Sequence, residues 1–108
     1  MNDILGNLYN TVVDRQQNPQ EGSYTCYLFE KGLDKILKKI GEESAETIIA
    51  AKNQDNGELV GEVGDLLYHL MVMLVEKGVP IEAVNAELRK RSLKSGNLKQ
   101  MKQVDKNS

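Results

Sequence analysis

Four acidic residues stand in mirror order about Gln54: Glu43 and Glu46 before it, Glu62 and Asp65 after it. Each pair is spaced i, i+3, which sets two carboxylates on one face of a helix. Between the pairs runs Lys52-Asn53-Gln54-Asp55-Asn56-Gly57, a polar break rich in turn residues. If two helices fold back about that break as an antiparallel hairpin, each acid sits about 12–17 Å from the turn. The two pairs then lie at matching heights and face each other. Four carboxylates at close range repel, so the arrangement calls for a cation among them. An all-oxygen donor set favours a hard divalent ion, magnesium before zinc.

The rest of the chain reads as helical, with no strand-like alternation of useful length and no internal repeat. Ile4, Leu5, Leu8 and Val12 predict a first helix from about Asp3 to Arg15. Gln16 to Gly22, with Asn18-Pro19 inside, predicts a loop. Ser23 opens a short helix reaching Lys31, and Gly32 interrupts it. Leu33, Ile36, Leu37, Ile40, Ile48 and Ala51 mark a long helix to about Lys52. Asp55 followed by Glu58 resembles a capping arrangement for a second long helix ending near Gly78. Val79-Pro80 begins a last helix with Ile81, Val84 and Leu88 on its inner face. The fold class is therefore all-α: a helical bundle of two long antiparallel helices plus shorter ones, as one domain over residues 1–94. Residues 95–108 are polar and aperiodic and read as a tail.

The segment from Leu66 to Val75 is apolar almost all round, and such a helix needs neighbours on several sides. A chain of 108 residues has few helices to spare, so a homodimer is expected, four helices meeting across a two-fold axis. The same segment contains His69 and is too short to span a bilayer, so no membrane is expected. A formal charge of −2 lacks the basic excess of a general nucleic-acid binder. Cys26 stands alone, so no internal disulfide forms and a reducing cytoplasm is the natural setting. The first residues lack a basic region followed by an apolar run, so no signal peptide is expected.

A single Glu-x-x-Glu is common on solvated helices, where it pairs with neighbouring cations. Here Glu62 and Asp65 lie among Val60, Val63, Leu66 and Leu67. Lys39 falls on the Glu43/Glu46 face, and His69 falls on the Glu62/Asp65 face. A cation and an imidazole flanking four acids suit a metal–phosphate site. Glu42 lies about 100° round the helix from Glu43. It either pairs with Lys38 at i−4 or orients a ligand or water from behind the metal. His69 reads equally as a hydrogen-bonded core residue and as a functional one, and a magnesium-type ion does not need it as a ligand. Gly57, Gly61 and Gly64 read as a surface for close helix packing, each costing about 1 kcal/mol relative to Ala. Ser23-Tyr24-Thr25 is by default a cap, although a helix N-terminus also offers N–H groups to a phosphate. Arg89, Lys90, Arg91 and Lys94 suit the dipole of the last helix, and equally a peripheral phosphate.

Lys39-x-x-Glu42-Glu43-x-x-Glu46 followed by Glu62-x-x-Asp65 resembles the signature of the MazG-like all-α nucleotide pyrophosphatases. Ser23-Tyr24-Thr25, Lys39-Ile40-Gly41-Glu42-Glu43 and Asp65-Leu66-Leu67-Tyr68-His69 narrow the resemblance to the phosphoribosyl-ATP pyrophosphatase family among them. It covers Leu5 to about Arg91. Val63-Gly64 departs from the Ala-type residues common in that family, which bears on local packing and not on the ligands. The resemblance implies hydrolysis of 1-(5-phosphoribosyl)-ATP to the AMP derivative and pyrophosphate, in histidine biosynthesis, by a homodimer. It implies magnesium, with manganese as a substitute, held by Glu43, Glu46, Glu62 and Asp65. Lys39, Glu43 and Glu46 then carry catalysis, and Ser23, Tyr24, Thr25, Lys39, His69, Arg89 and Arg91 bind substrate. A house-cleaning pyrophosphatase for ordinary or damaged nucleotides is the alternative that shares the same metal site.

Overall fold

The computed structural model describes residues 3–92, and these form five α-helices and no strand. They are α1 (Ile4–Gln17), α2 (Tyr24–Lys31), α3 (Leu33–Lys52), α4 (Asn56–Glu76) and α5 (Ile81–Ser92). Lys94 and the tail expected over 95–108 lie outside the described residues.

Helix starts follow from side chains that satisfy otherwise unpaired N–H groups. The Asp3 carboxylate accepts from the Gly6 N–H at 2.9 Å, and the Ser23 hydroxyl accepts from the Cys26 N–H at 3.2 Å. Asp55 accepts from the N–H groups of Gly57 (2.9 Å) and Glu58 (3.2 Å). The expected capping pair is half-formed, because Glu58 takes the Asn53 side-chain amide at 3.3 Å instead of reaching back to Asp55. Gly32 separates α2 from α3 at φ +93° and ψ −177°, a conformation that side chains other than glycine's strongly disfavour. A Cβ there would meet nothing within 4 Å, so the constraint is backbone conformation and not space.

The α3–α4 hairpin is the most extensive helix pairing, and α1 packs on α4 while α2 packs on α3 and α1. The core sits at the end of the hairpin remote from the turn. Val12, Leu28, Ile36, Met71, Val72, Val75 and Ile81 are buried there, flanked by Leu8, Ile40 and Val84. The Tyr9 hydroxyl donates to the Val79 carbonyl at 2.8 Å and ties α1 to the α4–α5 link.

Within the apolar stretch of α4, His69, Met71, Val72 and Val75 are buried by packing inside the chain, while Leu66, Leu67, Tyr68, Leu70, Met73 and Leu74 are half-buried. Uncovered apolar surface lies instead near the turn, where Ile48 (66%), Ile49 (59%), Val60 (72%) and Val63 (39%) are exposed. α1, α2 and α5 do not extend over that end of the hairpin. Leu88 is also half exposed, and Ala50, not Ala51, is the buried alanine of α3. Gly61 and Gly64 face open space within the chain, so the close packing expected on them has no partner here.

Substituting Gly32→Ala should cost about 1–3 kcal/mol through the strained backbone alone, read as a lower midpoint in urea unfolding. Gly61→Ala should instead gain roughly 1 kcal/mol of helix propensity. Equal effects of the two changes would contradict this account of Gly32.

Candidate active site

The hairpin brings the acids of α3 and α4 together. One oxygen from each of Glu43, Glu62 and Asp65 lies within 4.8 Å of the others. Glu46 lies beside this trio, close enough to contribute to raising the pKa of both Glu43 and Glu62. The Thr47 hydroxyl donates to the Glu43 carbonyl at 2.7 Å and lies 3.4 Å from the Glu62 carbonyl, so it spans the two helices at the height of the acids.

Glu43 is the least compatible with a solvated face. It is 7% exposed, and its Oε2 is buried without a hydrogen-bond partner among the described residues. Burial pushes its carboxyl above the ordinary value, and repulsion from Glu46 and Asp65 adds to that. Glu62 is raised for the same reasons, burial first and then Glu46 and Glu43. A buried carboxylate oxygen without a donor, facing two more carboxylates, fits a hard cation, and the donor set is all oxygen.

Lys39 reaches this group from one turn back on α3. Its Nζ lies 3.3 Å from Glu42 and 3.9 Å from Glu43, and the Glu42 contact leads in raising its pKa. Glu42 therefore pairs with Lys39 at i−3, and the pairing with Lys38 at i−4 does not form among the described residues. The swap follows from position: Lys39 lies between Glu42 and Glu43 and is drawn by both charges.

His69 is buried, with Nδ1 2.7 Å from the Asp65 carbonyl and Nε2 3.0 Å from the Tyr24 hydroxyl. The carbonyl only accepts, which places a ring proton on Nδ1, and Nε2 shares a hydrogen bond with the Tyr24 hydroxyl. Nε2 thus ties α2 to α4, while Nδ1 holds the ring against its own helix at Asp65. Partial burial raises the Tyr24 phenol against the lowering effect of Lys39, so the phenol remains a donor at neutral pH. Thr25 and Tyr68 share a hydrogen bond between their hydroxyls. Ser23, Tyr24 and Thr25 are each engaged in this way: a cap, a link to His69 and a link to Tyr68.

Arg89 and Arg91 lie in the last turn of α5, which packs on α1. Arg91 donates to Glu87 at 2.7 Å, and neither arginine forms an ion pair with the carboxylate group. Thr47 and Tyr68 were not singled out as site residues by the sequence. Thr47 carried a usable signal, because it lies at i+4 from Glu43 on the same helical face.

Comparison with known proteins identifies the family of the chain. Residues 5–92 match the family model described as phosphoribosyl-ATP pyrophosphohydrolase. A phosphoribosyl-ATP pyrophosphatase of Clostridium botulinum (strain Kyoto / Type A2) is 56% identical over 91% of this chain and 89% of its own length. One from Streptococcus thermophilus is 56% identical over 94% of this chain and 97% of its own. A bifunctional histidine-biosynthesis protein of Thermoanaerobacter pseudethanolicus is 61% identical over 78% of this chain, which spans 39% of that longer protein. With the mirrored acids, the Tyr24–His69 link and these likenesses together, the chain belongs to the phosphoribosyl-ATP pyrophosphohydrolase family.

Proposed function

We propose that the α3–α4 carboxylate group is the metal-holding centre at which this chain hydrolyses phosphoribosyl-ATP in histidine biosynthesis. The observation that carries the assignment is the buried, unpartnered Oε2 of Glu43 beside Glu62 and Asp65. In this reading Glu43, Glu62 and Asp65 hold magnesium, or manganese in its place. The ion would neutralise charge on the triphosphate and make a bound water more acidic. Glu46, expected from the sequence among the ligands, lies against the trio and takes the proton from the attacking water. The water oxygen bonds to phosphorus, the α–β anhydride bond breaks, and pyrophosphate leaves. Lys39 stabilises the charge that develops on the transferring phosphoryl group. Glu42 holds Lys39 in place from its outer side. Ser23, Tyr24 and Thr25 at the start of α2, with His69 of α4, form the wall against which the nucleotide lies. No described helix is long and apolar enough to cross a membrane.

The working form is a homodimer whose second copy covers Ile48, Ile49, Val60 and Val63 and packs on Gly61 and Gly64. Exposed apolar side chains beside open glycines support this face over any other. Sedimentation equilibrium should give twice the 12.1 kDa chain mass. Val60→Asp should halve it, and a monomeric wild type would refute the dimer.

Pyrophosphate release should be far faster from phosphoribosyl-ATP than from ATP, and comparable turnover of dNTPs would favour the house-cleaning alternative. Glu43→Gln and Asp65→Asn should each lower kcat by about a hundredfold or more, the scale of losing one charge-stabilising group. Unchanged kcat in both would remove the site.

Stability should report the same centre without turnover. The folded state binds the Glu43 and Glu62 protons more tightly than the unfolded chain, since both carboxyls are raised. Stability of the metal-free protein is therefore lost as pH rises from the ordinary carboxylate range through the raised values. Glu43→Gln removes that repulsion, so the metal-free variant should melt a few degrees above wild type at pH 7.5, with a smaller gap at pH 5. Magnesium should raise the wild-type melting temperature and leave the variant's almost unmoved.

A further inference from the structure

Two ammonium groups from different helices converge on one ring. Lys31 Nζ on α2 lies 5.8 Å from the Tyr27 ring centroid, and Lys35 Nζ on α3 lies 5.9 Å from it. Neither lysine forms an ion pair among the described residues, whereas Lys39 is committed to Glu42 and Glu43 and Arg91 to Glu87. Two ammonium groups within 6 Å of one ring, neither of them ion-paired, make a place for an anion. Each lysine keeps its N–H donors free, because a ring face engages the charge and not a particular hydrogen bond.

The same patch is continuous with the carboxylate centre. Tyr27 stacks on Tyr24 with ring centroids 6.0 Å apart and planes 24° from parallel, and both rings are partly exposed. Tyr24 in turn bonds His69, which bonds the Asp65 carbonyl. On α3, Lys35, Lys39 and Glu43 recur at i, i+4, i+8, so the free lysine lies about 12 Å along the axis from the buried acid. An open hollow of about 590 Å³ borders Tyr24 and Tyr27 on the side of Pro19 and Gly22. Its rim includes Glu21 and Glu30, so an anion is favoured only on the lysine side.

We propose that Lys31 and Lys35 form a second anion site that holds the 5-phosphate monoester of the substrate's added ribosyl group, with the Tyr24–Tyr27 stack supporting the rings between the two charged ends. The proposal rests on the phosphoribosyl-ATP reading of the carboxylate centre. It assigns selectivity to residues that the acidic motif does not include. ATP carries the triphosphate but lacks this second phosphate, so the lysine pair is what distinguishes the two nucleotides. Aromatic faces between the charge centres suit sugar and purine, which have flat or apolar surfaces to cover.

The test is steady-state pyrophosphate release from phosphoribosyl-ATP and from ATP, in magnesium, by wild type and three double variants. Lys31→Ala with Lys35→Ala should raise KM for phosphoribosyl-ATP by roughly tenfold or more, the scale of losing charge-assisted hydrogen bonds, and change kcat by under about threefold. Its loss of kcat/KM on ATP should be under about twofold, so the preference for phosphoribosyl-ATP shrinks. Lys31→Arg with Lys35→Arg should restore most of that preference, because charge and donors return. An unchanged KM in the alanine pair overturns the site. So does loss of the preference in Arg89→Ala with Arg91→Ala while the lysine variant keeps it. A wild type that releases nothing from phosphoribosyl-ATP overturns the underlying activity and this site with it, and is distinguishable from a wild type that is active beside an unaffected lysine variant.

Discussion

Burial of the Glu43 carboxylate against Glu62 and Asp65 is the constraint around which the rest is arranged. A carboxylate oxygen removed from water without a donor opposes folding, and two neighbouring acids add to the penalty. The hairpin sustains it because the favourable packing lies elsewhere. Leu28, Ile36, Val72 and Val75 are buried toward the far end, and Asp55 caps the turn end, so neither region needs the middle to be stabilising. Thr47 holds the two helices at the height of the acids without adding bulk between them. The site is a point where the fold tolerates repulsion, which a bound cation would relieve.

The surrounding groups each limit where charge can go. Lys39 neutralises one side of Glu43 and is itself steadied by Glu42, so the open side of the acid faces α4. His69 offers no free nitrogen to a cation, because Asp65 and Tyr24 occupy both. Its contribution is positional: it fixes the approach of α2 to the turn of α4 that carries Asp65. The Tyr68–His69 and Tyr24–His69 edge contacts, at 4.9 and 5.7 Å, make that junction a packed aromatic wall.

Much of this was legible before any coordinates. Acids symmetric about Gln54 required only that the polar break be a tight reversal, and Asn53 through Asp55 supply one. Helix limits followed from Ser23, Gly32 and Asp55, since caps and breakers act locally. Cross-helix links were harder to read. Tyr24 and His69 are 45 positions apart, and periodicity on one helix carries no information about its neighbour's rotation. The pairing of Glu42 was ambiguous because i+3 and i+4 partners are both in reach, and Glu43 tipped the balance toward Lys39. Apolar spacing likewise marked Ile48 and Leu88 as helical faces without saying what would cover them.

Gly32 has a wider consequence for how such a molecule divides its labour. In a continuous rod, Tyr24 would stand about 22 Å from Lys39 along the axis; the break lets it come back within electrostatic reach of that lysine. The acids and Lys35 belong to the hairpin, whereas Tyr24, Tyr27 and Lys31 belong to the short α2, joined to α3 through Gly32 and packed on α1, α3 and α4. Under the proposed roles the acidic centre lies wholly on the hairpin while the anion site is shared between α2 and the first turn of α3, so changes confined to α2 would alter nucleotide preference and leave the acids as they stand.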